Sequence, residues 1–398
     1  MAWSGRGLGL PSFDHMLMIT NRGRSAALPG PPRRGSRPRG ATWRRVLGAG
    51  LALVLLPVLV SYGRALGYPG QASFSVRTVE WIRDNGGGGL VDAAENWWYT
   101  RDAPPTSAPE PELASRVPVP PPGAPAPLAA IGPHLAAGEG AWTAGPTTAT
   151  GRTPMLVTYV RPDPVHPGVL AAVARFDQNQ VRARIIAGTR EPDQQSWPEG
   201  GQVPPEQRGA LVATFNSGFK MADAQGGFYA DARMARPLRD GAASLVVDAT
   251  GRISVDRWGR DRRFGPDIAA VRQNLVLIVD NGAPVPGLEF NRDNRWGSAK
   301  NQLQYTWRSA AGVDPEGNLF YVAGDKLTLA TLAKALADTG ATRGMELDIH
   351  PAEVHLFAYR YGPDVAGPVP TALLANMLGP TDRYLQPDQR DFVALTAR

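Results

Sequence analysis

Apolar and polar residues alternate from Met345 to His350, and this alternation predicts a β-strand. Successive side chains of a strand point to opposite faces, so three residues would enter the core: Met345, Leu347 and Ile349. The opposite face would then carry Glu346, Asp348 and His350. Two carboxylates and an imidazole on one face indicate either the exposed polar face of an edge strand or one edge of an active site.

The residues before this strand predict a helix and another strand. Residues 319–323 are apolar, and Thr328 can cap a helix with an apolar stripe that consists of Leu329, Leu332, Ala333 and Leu336. Gly340 would end that helix. This order predicts a β-α-β unit with parallel strands, in which ligands bind beyond the carboxyl ends of the strands. Asp348 and His350 lie at that end, which favours the active-site interpretation.

Shorter apolar runs predict further strands at residues 155–160, 169–176, 181–187, 210–215 and 274–279. The Ala-Thr-Gly sequence at 249–251 separates two more runs and predicts a hairpin. We therefore expect one globular domain at 131–398, of class α+β, with a mixed α/β sheet and at least one β-α-β unit.

The run of residues 46–62, which begins at Val46 and ends at Tyr62, is uncharged and predicts a transmembrane signal anchor over 46–66. Arginine is in excess before this run, so the positive-inside rule places the N-terminus in the cytoplasm and the globular domain outside the cell membrane. A cleavable signal peptide and a buried core helix are the alternatives. No convincing small-x-small cleavage site precedes Gly67.

Two segments connect the predicted anchor to the domain. Residues 73–99 have helical spacing that is interrupted by the glycines at 86–89, which predicts a membrane-proximal helical hairpin. Its aromatic residues Trp81, Trp97, Trp98 and Tyr99 could rest at the lipid headgroups or pack on the main domain. Residues 103–127 include ten prolines and predict a stiff spacer that holds the domain away from the membrane.

The charge of the chain is concentrated at its N-terminus. The 398 residues carry a formal net charge of +6, but residues 1–45 contain nine arginines and one acidic residue, so the remainder has a net charge of −2. We expect this Arg- and Pro-rich tail to be disordered and the globular domain not to bind nucleic acid. The chain contains no cysteine, which excludes disulfides, thiolate metal sites and cysteine nucleophiles.

Four motifs in order resemble the phosphodiester glycosidase family. Residues 213–219 (Ala-Thr-Phe-Asn-Ser-Gly-Phe) resemble its Asn-Gly-Gly-Phe-Phe signature, and residues 307–317 are similar to its Arg-Thr-Ala-Xaa-Gly stretch. Residues 327–340 are similar to a helix of that family, and residues 345–348 (Met-Glu-Leu-Asp) to its Asn-Leu-Asp strand. The resemblance implies hydrolysis of sugar phosphodiesters.

The chain departs from this family after the aspartate. The family has Gly-Gly-Gly-Ser there, a tight turn whose backbone can approach a ligand, whereas Asp348 is followed by Ile-His-Pro-Ala. Glu346 replaces the family's asparagine, and Ser217 replaces a glycine. The loop must therefore run differently, so either the site chemistry is altered or the fold is kept without the activity.

The resemblance and the residue types together indicate roles in catalysis. Asp348 could be the nucleophile or the base that activates water, with Glu346 and His350 in acid–base roles. Arg308 could bind phosphate through two parallel hydrogen bonds, or form a structural ion pair. Three further residues are candidates for substrate binding, with ordinary turn chemistry as the alternative: Asn216, Gly218 and Lys220.

Residues 348–355 also contain oxygen and nitrogen groups that could bind a divalent metal. The candidates are Asp348, His350, Glu353 and His355, although their spacing matches no standard zinc motif. His355 could equally be a structural histidine. No other cofactor is expected.

Three functions follow from these observations. The first is a membrane-anchored, extracytoplasmic glycosidase that hydrolyses sugar-1-phosphodiester linkages in cell-envelope or exopolysaccharide glycans. The second is a non-catalytic glycan-binding or scaffold protein with the same fold, which the missing Gly-Gly-Gly-Ser turn would support. The third is a metal-dependent phosphodiesterase that cleaves on the phosphorus side.

Overall fold

A computed structural model describes residues 40–68, 70, 72–106, 119–129, 138–297, 302–362 and 367–398. Most of the predicted disordered tail, up to residue 39, lies outside the described residues, as does the stretch 107–118 of the predicted spacer. The chain divides into two compact units, Met1–Val58 and Leu59–Arg398. The sheets and the candidate site belong to the second unit.

Three of the four α-helices within the described residues lie near the N-terminus. The α-helices are α1 (Gly40–Leu66), α2 (Phe74–Ile82), α3 (Gly88–Arg101) and α4 (Leu329–Asp338). Short 3-10 helices occupy Pro205–Ala210, Arg292–Asn294 and Arg383–Leu385. In α1, the 24 residues Trp43–Leu66 are long and apolar enough to cross a membrane, and none of them is buried. Their length and composition agree with the predicted anchor.

The strands are short, and they run from β1 to β18 along the chain. Those before residue 250 are β1 (Thr143–Ala144), β2 (Met155–Val160), β3 (Ala171–Phe176), β4 (Val181–Ile186), β5 (Leu211–Asn216), β6 (Phe228–Ala230), β7 (Arg233–Arg236) and β8 (Ala243–Asp248). The later ones are β9 (Ile253–Arg257), β10 (Ile268–Gln273), β11 (Leu277–Asp280), β12 (Ala283–Pro284), β13 (Thr306–Val313), β14 (Leu319–Leu327), β15 (Arg343–Ile349), β16 (Leu356–Arg360), β17 (Val369–Ala372) and β18 (Phe392–Ala397).

Within the described residues these strands form three sheets. The large sheet has the order β1-β2-β3-β14-β13-β15-β11-β12, and two five-stranded sheets have the orders β7-β6-β10-β8-β9 and β17-β16-β5-β18-β4. Each pairing between the described strands is antiparallel. One core cluster contains residues of all three sheets, such as Phe215, Leu245 and Leu347. The molecule therefore combines helices with mostly antiparallel sheets, in agreement with the α+β class.

The predicted β-α-β unit is present, but its two strands are not neighbours. Strand β13 lies between β14 and β15 and is antiparallel to both, so β14 and β15 run in the same direction without pairing. Helix α4 begins at the predicted cap Thr328 and buries its predicted apolar stripe against the large sheet. A Cβ on Gly344 of β15 would clash with the Leu336 side chain, so the close approach of α4 requires glycine there.

The hairpin predicted from helical spacing corresponds to α2 and α3. The Ser73 side chain caps α2 by accepting a hydrogen bond from the Val76 amide. The chain turns at Arg83–Gly87, where Asn85 and Gly86 leave helical geometry and Gly86 has a φ of +87°.

The hairpin lies directly on the domain, and Tyr99 is one of its aromatic residues that packs there, against His350. The Tyr305 amide donates to the Tyr99 carbonyl of α3 at 3.0 Å, and Lys220 forms an ion pair with Glu80 of α2 at 3.1 Å. After the undescribed stretch, Ala124 packs against the core beside the large sheet. That residues 103–127 hold the domain away from the membrane stays a prediction.

Candidate active site

A cavity of about 630 Å³ lies between the α2–α3 hairpin and the carboxyl end of β15. The hairpin contributes Val76, Glu80, Arg83, Glu95 and Tyr99, and the domain contributes Phe219, Lys220, Trp296, Asp348, His350, Glu353, His355, Arg383 and Arg390. The cavity therefore has aromatic walls and several ionisable groups, a composition typical of small-molecule sites.

Asp348 is the buried carboxyl group in the cavity wall, with 4% of its surface exposed. Its Oδ2 accepts a hydrogen bond from Arg390 Nη2 at 2.7 Å, and its Oδ1 accepts one from the Ile349 amide at 2.8 Å. Burial raises the pKa of Asp348 to about 8, although Arg390 opposes this shift by stabilising the charged form. Asp348 can therefore hold a proton near neutral pH, as a general acid requires.

Arg390 connects Asp348 to a second carboxylate in the cavity. Its Nη1 lies 3.4 Å from Glu353 Oε2, and its Nη2 also donates to the Gly218 carbonyl at 2.8 Å. The Nε of Arg390 is buried and has no hydrogen-bond partner among the described residues. Arg390 thus brings a guanidinium with an unused donor to the same wall as Asp348 and Glu353.

His355 is held as a neutral imidazole. Burial and the nearby Arg383 lower its pKa to about 3. Its Nε2 lies 2.6 Å from the Leu378 carbonyl and its Nδ1 lies 3.0 Å from Arg383 Nη1, so the proton is on Nε2 and Nδ1 accepts from the guanidinium. Both ring nitrogens are therefore engaged by protein groups, which is the arrangement of a structural histidine.

His350 follows the end of β15 and leaves the alternation of the strand, with a φ of +76°. Its ring stacks on Tyr99 of α3 with the centroids 5.1 Å apart, and its Nε2 lies 3.4 Å from Glu95 Oε2. Burial alone would raise the pKa of Glu95, but the contacts with His350 and Arg83 lower it below its ordinary value. His350 therefore connects the end of β15 to the hairpin through Tyr99 and Glu95.

Glu346 and Arg308 lie behind the cavity wall. Both faces of β15 are covered at this point, and Glu346 is buried with its Oε1 accepting from Arg308 Nη1 at 2.6 Å. Arg308 is fully buried and also donates to the Leu327 carbonyl. Burial raises the pKa of Glu346 above its ordinary value, although the ion pair with Arg308 opposes this shift. This ion pair corresponds to the structural alternative for Arg308, and neither side chain lines the cavity.

The three predicted substrate-binding residues lie in different environments. Asn216 is buried and exchanges hydrogen bonds with Ser309, Tyr321 and the His355 amide. Gly218 lies beside the cavity and offers its carbonyl to Arg390. Lys220 lines the cavity and pairs with Glu80. Of the three, Lys220 has the side chain that can reach a bound molecule.

The predicted metal candidates do not converge on one point. In the part of the chain that the structure describes, no group of three or more His, Asp or Glu side chains is arranged to hold a metal ion. Arg390 lies between Asp348 and Glu353, and both nitrogens of His355 are engaged. These contacts are those of a charge network with arginines at its centre.

The charged residues of the site that were not predicted from the sequence include Glu95, Arg383 and Arg390, with Asp388 as a partner of Arg383. Arg383 donates to Asp388 and to the Ala352 carbonyl, and it lies 3.6 Å from Glu353. The cluster Asp388-Gln389-Arg390-Asp391 directly before the apolar start of β18 was the available signal. It lies next to the buried first half of β18, as the polar residues after β5 lie next to a buried strand.

One family model matches part of the chain. Residues 208–348 match the family model described as phosphodiester glycosidase. The match ends at Asp348, which is where the motif comparison departs from the family. No curated protein matches the chain.

Among solved structures, the chain is similar to the catalytic domain of zebrafish N-acetylglucosamine-1-phosphodiester alpha-N-acetylglucosaminidase, which is auto-inhibited by its pro-peptide. The identity is 14% over 65% of this chain and 87% of that one, with a TM-score of 0.39. A hypothetical protein from Synechocystis is 13% identical over 61% of this chain and 64% of its own, with a TM-score of 0.31. An exported protein from Burkholderia pseudomallei is 13% identical over 59% of this chain and 75% of its own, with a TM-score of 0.34. The resemblance to the phosphodiester glycosidase family is confirmed by the family-model match over residues 208–348.

Proposed function

We propose that this protein is a membrane-anchored hydrolase that cleaves the bond between a sugar and a phosphodiester, in glycans of the cell envelope or an exopolysaccharide. The observation that carries this proposal is the buried carboxyl of Asp348, which has a raised pKa and faces a 630 Å³ cavity in hydrogen-bond contact with Arg390. The family match that ends at this residue supplies the substrate class.

Arg390 is our candidate for binding the substrate phosphate. Its guanidinium lines the cavity between Asp348 and Glu353, whereas Arg308 is fully buried against Glu346 and does not line it. Guanidinium groups bind phosphate through parallel hydrogen bonds, and a cation next to the departing phosphate stabilises the charge that develops on it. Lys220 also lines the cavity and can add a second positive charge.

Asp348 and Glu353 are our candidates for proton transfer. Asp348 holds a proton and can give it to the phosphate oxygen as the bond to the anomeric carbon breaks. Glu353 lies on the other side of Arg390 and can accept the proton of the water that attacks that carbon. The products are a reducing sugar and a phosphate monoester. Glu346 contributes by fixing β15 against β13 through Arg308, and His350 by holding the hairpin.

The membrane location is part of the same proposal. Helix α1 contains a stretch long and apolar enough to cross a membrane, and the arginines before it favour a cytoplasmic N-terminus with the domain outside. An extracytoplasmic active site would meet envelope glycans directly.

The test uses the full chain in detergent micelles and a panel of sugar-1-phosphodiesters, with released reducing sugar as the readout. We expect Asp348→Asn to lower kcat by about 10²–10⁴-fold, the usual range for loss of a general acid. Arg390→Lys should raise KM as well as lower kcat, because lysine lacks the planar fork. The matched control Asp240→Asn changes an exposed aspartate outside the cavity and should leave both constants unchanged.

Other outcomes would select the alternative functions. Glycan binding without turnover, unaffected by Asp348→Asn in a folded variant, would identify a non-catalytic glycan-binding protein. Release of a sugar phosphate in place of a reducing sugar, together with inhibition by a chelator, would identify a metal-dependent phosphodiesterase.

A further inference from the structure

Helix α3 has most of its apolar residues on the outside, with Val91 and Tyr99 as exceptions, and most of its polar residues on the inside. At 3.6 residues per turn, one half of its circumference consists of Gly89, Leu90, Ala93, Ala94, Trp97 and Trp98, and each of these residues is exposed. The exposed fractions are 79% for Leu90, 55% for Trp97 and 59% for Trp98. The opposite half carries Asp92, Glu95, Asn96 and Tyr99, which are partly covered and turned toward the domain.

This arrangement is the reverse of that of a helix on the surface of a water-soluble domain, where the polar face meets the solvent. The inner face of α3 is already occupied, because Glu95 and Tyr99 contact His350. The outer apolar face therefore has no partner within the described residues of this chain. Contact of two neighbouring tryptophans and a leucine with water is unfavourable, because burial of apolar surface lowers the free energy. The exposed face therefore indicates that α3 lies against an apolar environment.

The hairpin is fastened to the last turns of α1, which identifies that surrounding. Trp81 Nε1 of α2 donates to Ser61 Oγ at 3.0 Å, and the Trp81 ring packs edge-on against Tyr62 with the centroids 5.1 Å apart. Arg77 donates to the carbonyl of Leu66, the final residue of α1, at 2.9 Å. The apolar face of α3 is therefore carried by a hairpin bound to the end of a helix that is long and apolar enough to span a membrane.

We propose that the outer face of α3, formed by Leu90, Ala93, Ala94, Trp97 and Trp98, lies in the lipid headgroup region of the bilayer that α1 enters. Tryptophan is enriched at that depth because its ring is apolar and its indole N–H is polar. Arg101 ends the helix with its guanidinium 4.6 Å from the centre of the Trp97 ring, so its charge can reach phosphate groups while its stem remains in apolar contact.

This inference is independent of the proposed hydrolysis, because it concerns the outside of α3 and assigns no catalytic role to any cavity residue. A helical face that rests in the interface would also fix the height of the cavity, since Glu95 and Tyr99 on the inner face of the same helix line it. The cavity would then be held close to the membrane surface.

The absence of cysteine from the chain makes a site-specific test direct. A nitroxide spin label is attached to Ala94→Cys in the full-length protein, which is reconstituted in nanodiscs of phosphatidylethanolamine and phosphatidylglycerol. Collisions with oxygen, which concentrates in lipid, are compared with collisions with a water-soluble nickel chelate. The matched control is Ala249→Cys, an equally small exposed residue in the β8–β9 turn.

We expect a ratio of oxygen to nickel collisions several-fold higher at position 94 than at position 249. Equal ratios would place α3 in water and overturn the proposal. A second copy of the protein could also cover this face. In that case the label at position 94 would be shielded from both reagents and would become accessible when the protein is diluted among more nanodiscs. That result would also overturn the proposal.

A second measurement does not depend on the Ala94→Cys variant. Lipids brominated near the headgroup quench nearby tryptophans, so the wild-type protein should lose part of its fluorescence in such nanodiscs. The double substitution Trp97→Phe and Trp98→Phe keeps the apolar face but should remove most of the loss that depends on headgroup bromination. An unchanged loss in this variant would mean that these two tryptophans are not in contact with lipid.

Discussion

Protonation of Asp348 makes the stability of the protein depend on pH in a direction that can be measured. The pKa of this carboxyl rises from 3.8 to about 8 in the folded protein because burial disfavours the charge. Between these values the folded state binds a proton that the unfolded chain has released, so the free energy of unfolding falls as the pH rises. Asp348→Asn cannot ionise. We therefore expect its stability relative to the wild type to increase through this window, as measured by thermal unfolding at successive pH values.

The same series contains its control and a clear contrary result. Asp240→Asn should shift the unfolding temperature by a constant small amount, because Asp240 is exposed. If instead Asp348→Asn loses stability relative to the wild type as the pH rises, Arg390 would hold Asp348 as a carboxylate with a lowered pKa. Asp348 could then act only as a base or nucleophile.

Single residues show how far the sequence could define the site. Alternation along β15 identified Asp348, because a two-residue period is local information. Arg390 is 42 residues further along the chain, and its contact with Asp348 depends on β18 entering a different sheet. Arg308 and Glu346 were assigned to the substrate and to catalysis as separate residues, yet the pairing of β13 with β15 brings them together as a buried ion pair.

At the scale of the element, two adjacent glycines in the hairpin should respond in opposite ways to the same substitution. A Cβ on Gly87 would overlap the Ile82 side chain and lie 2.9 Å from the Ile82 carbonyl oxygen, whereas a Cβ on Gly88 would meet nothing within 4 Å. Gly88→Ala should stabilise α3 by about 0.5–1 kcal/mol, because alanine loses less backbone entropy in a helix. Gly87→Ala must displace the turn between α2 and α3.

Hydrogen exchange of the full chain, followed by mass spectrometry of peptides from residues 74–101, measures this difference. We expect faster exchange than in the wild type for Gly87→Ala and slower exchange for Gly88→Ala, with the β-sheet peptides unchanged in both. Equal effects of the two substitutions would mean that the turn does not have the tight geometry at Ile82 on which the hairpin depends.

Elements with strong local signals were predicted well, and their packing was not. Helical spacing and the glycines at 86–89 predicted the hairpin, and Thr328 and Gly340 bracketed α4. The docking of the hairpin could not be read from the sequence, since it arises from contacts such as Tyr99 with His350, 251 residues apart. The composition of residues 103–127, between the hairpin and the domain, favours an extended chain. It does not determine where the hairpin and the domain lie relative to each other.

At the scale of the whole molecule, the order of the strands in the sheets cannot be predicted from local sequence patterns. The sequence predicts parallel strands on either side of α4, and the two strands do run in the same direction. Their separation by β13 is invisible in the segment 319–349, because β13 precedes both of them in the chain. Likewise, β5 pairs with β16 and β18 from the far end of the chain, so the three-sheet arrangement needs long-range information.

The orientation of the molecule in the membrane gives the last prediction. Residues 1–45 contain nine arginines, and moving such a segment across a membrane is unfavourable, so these residues should remain in the cytoplasm and the domain should lie outside. Because the chain lacks cysteine, a single substitution makes each side visible to a thiol reagent that cannot cross membranes. We expect Ala249→Cys to react in intact cells and Ser25→Cys to react only after lysis. The reverse pattern would place the cavity in the cytoplasm, and an envelope glycan could not then be its substrate. Reaction of both positions in intact cells would mean that α1 does not hold the tail inside, and the charge asymmetry of the chain would need another cause.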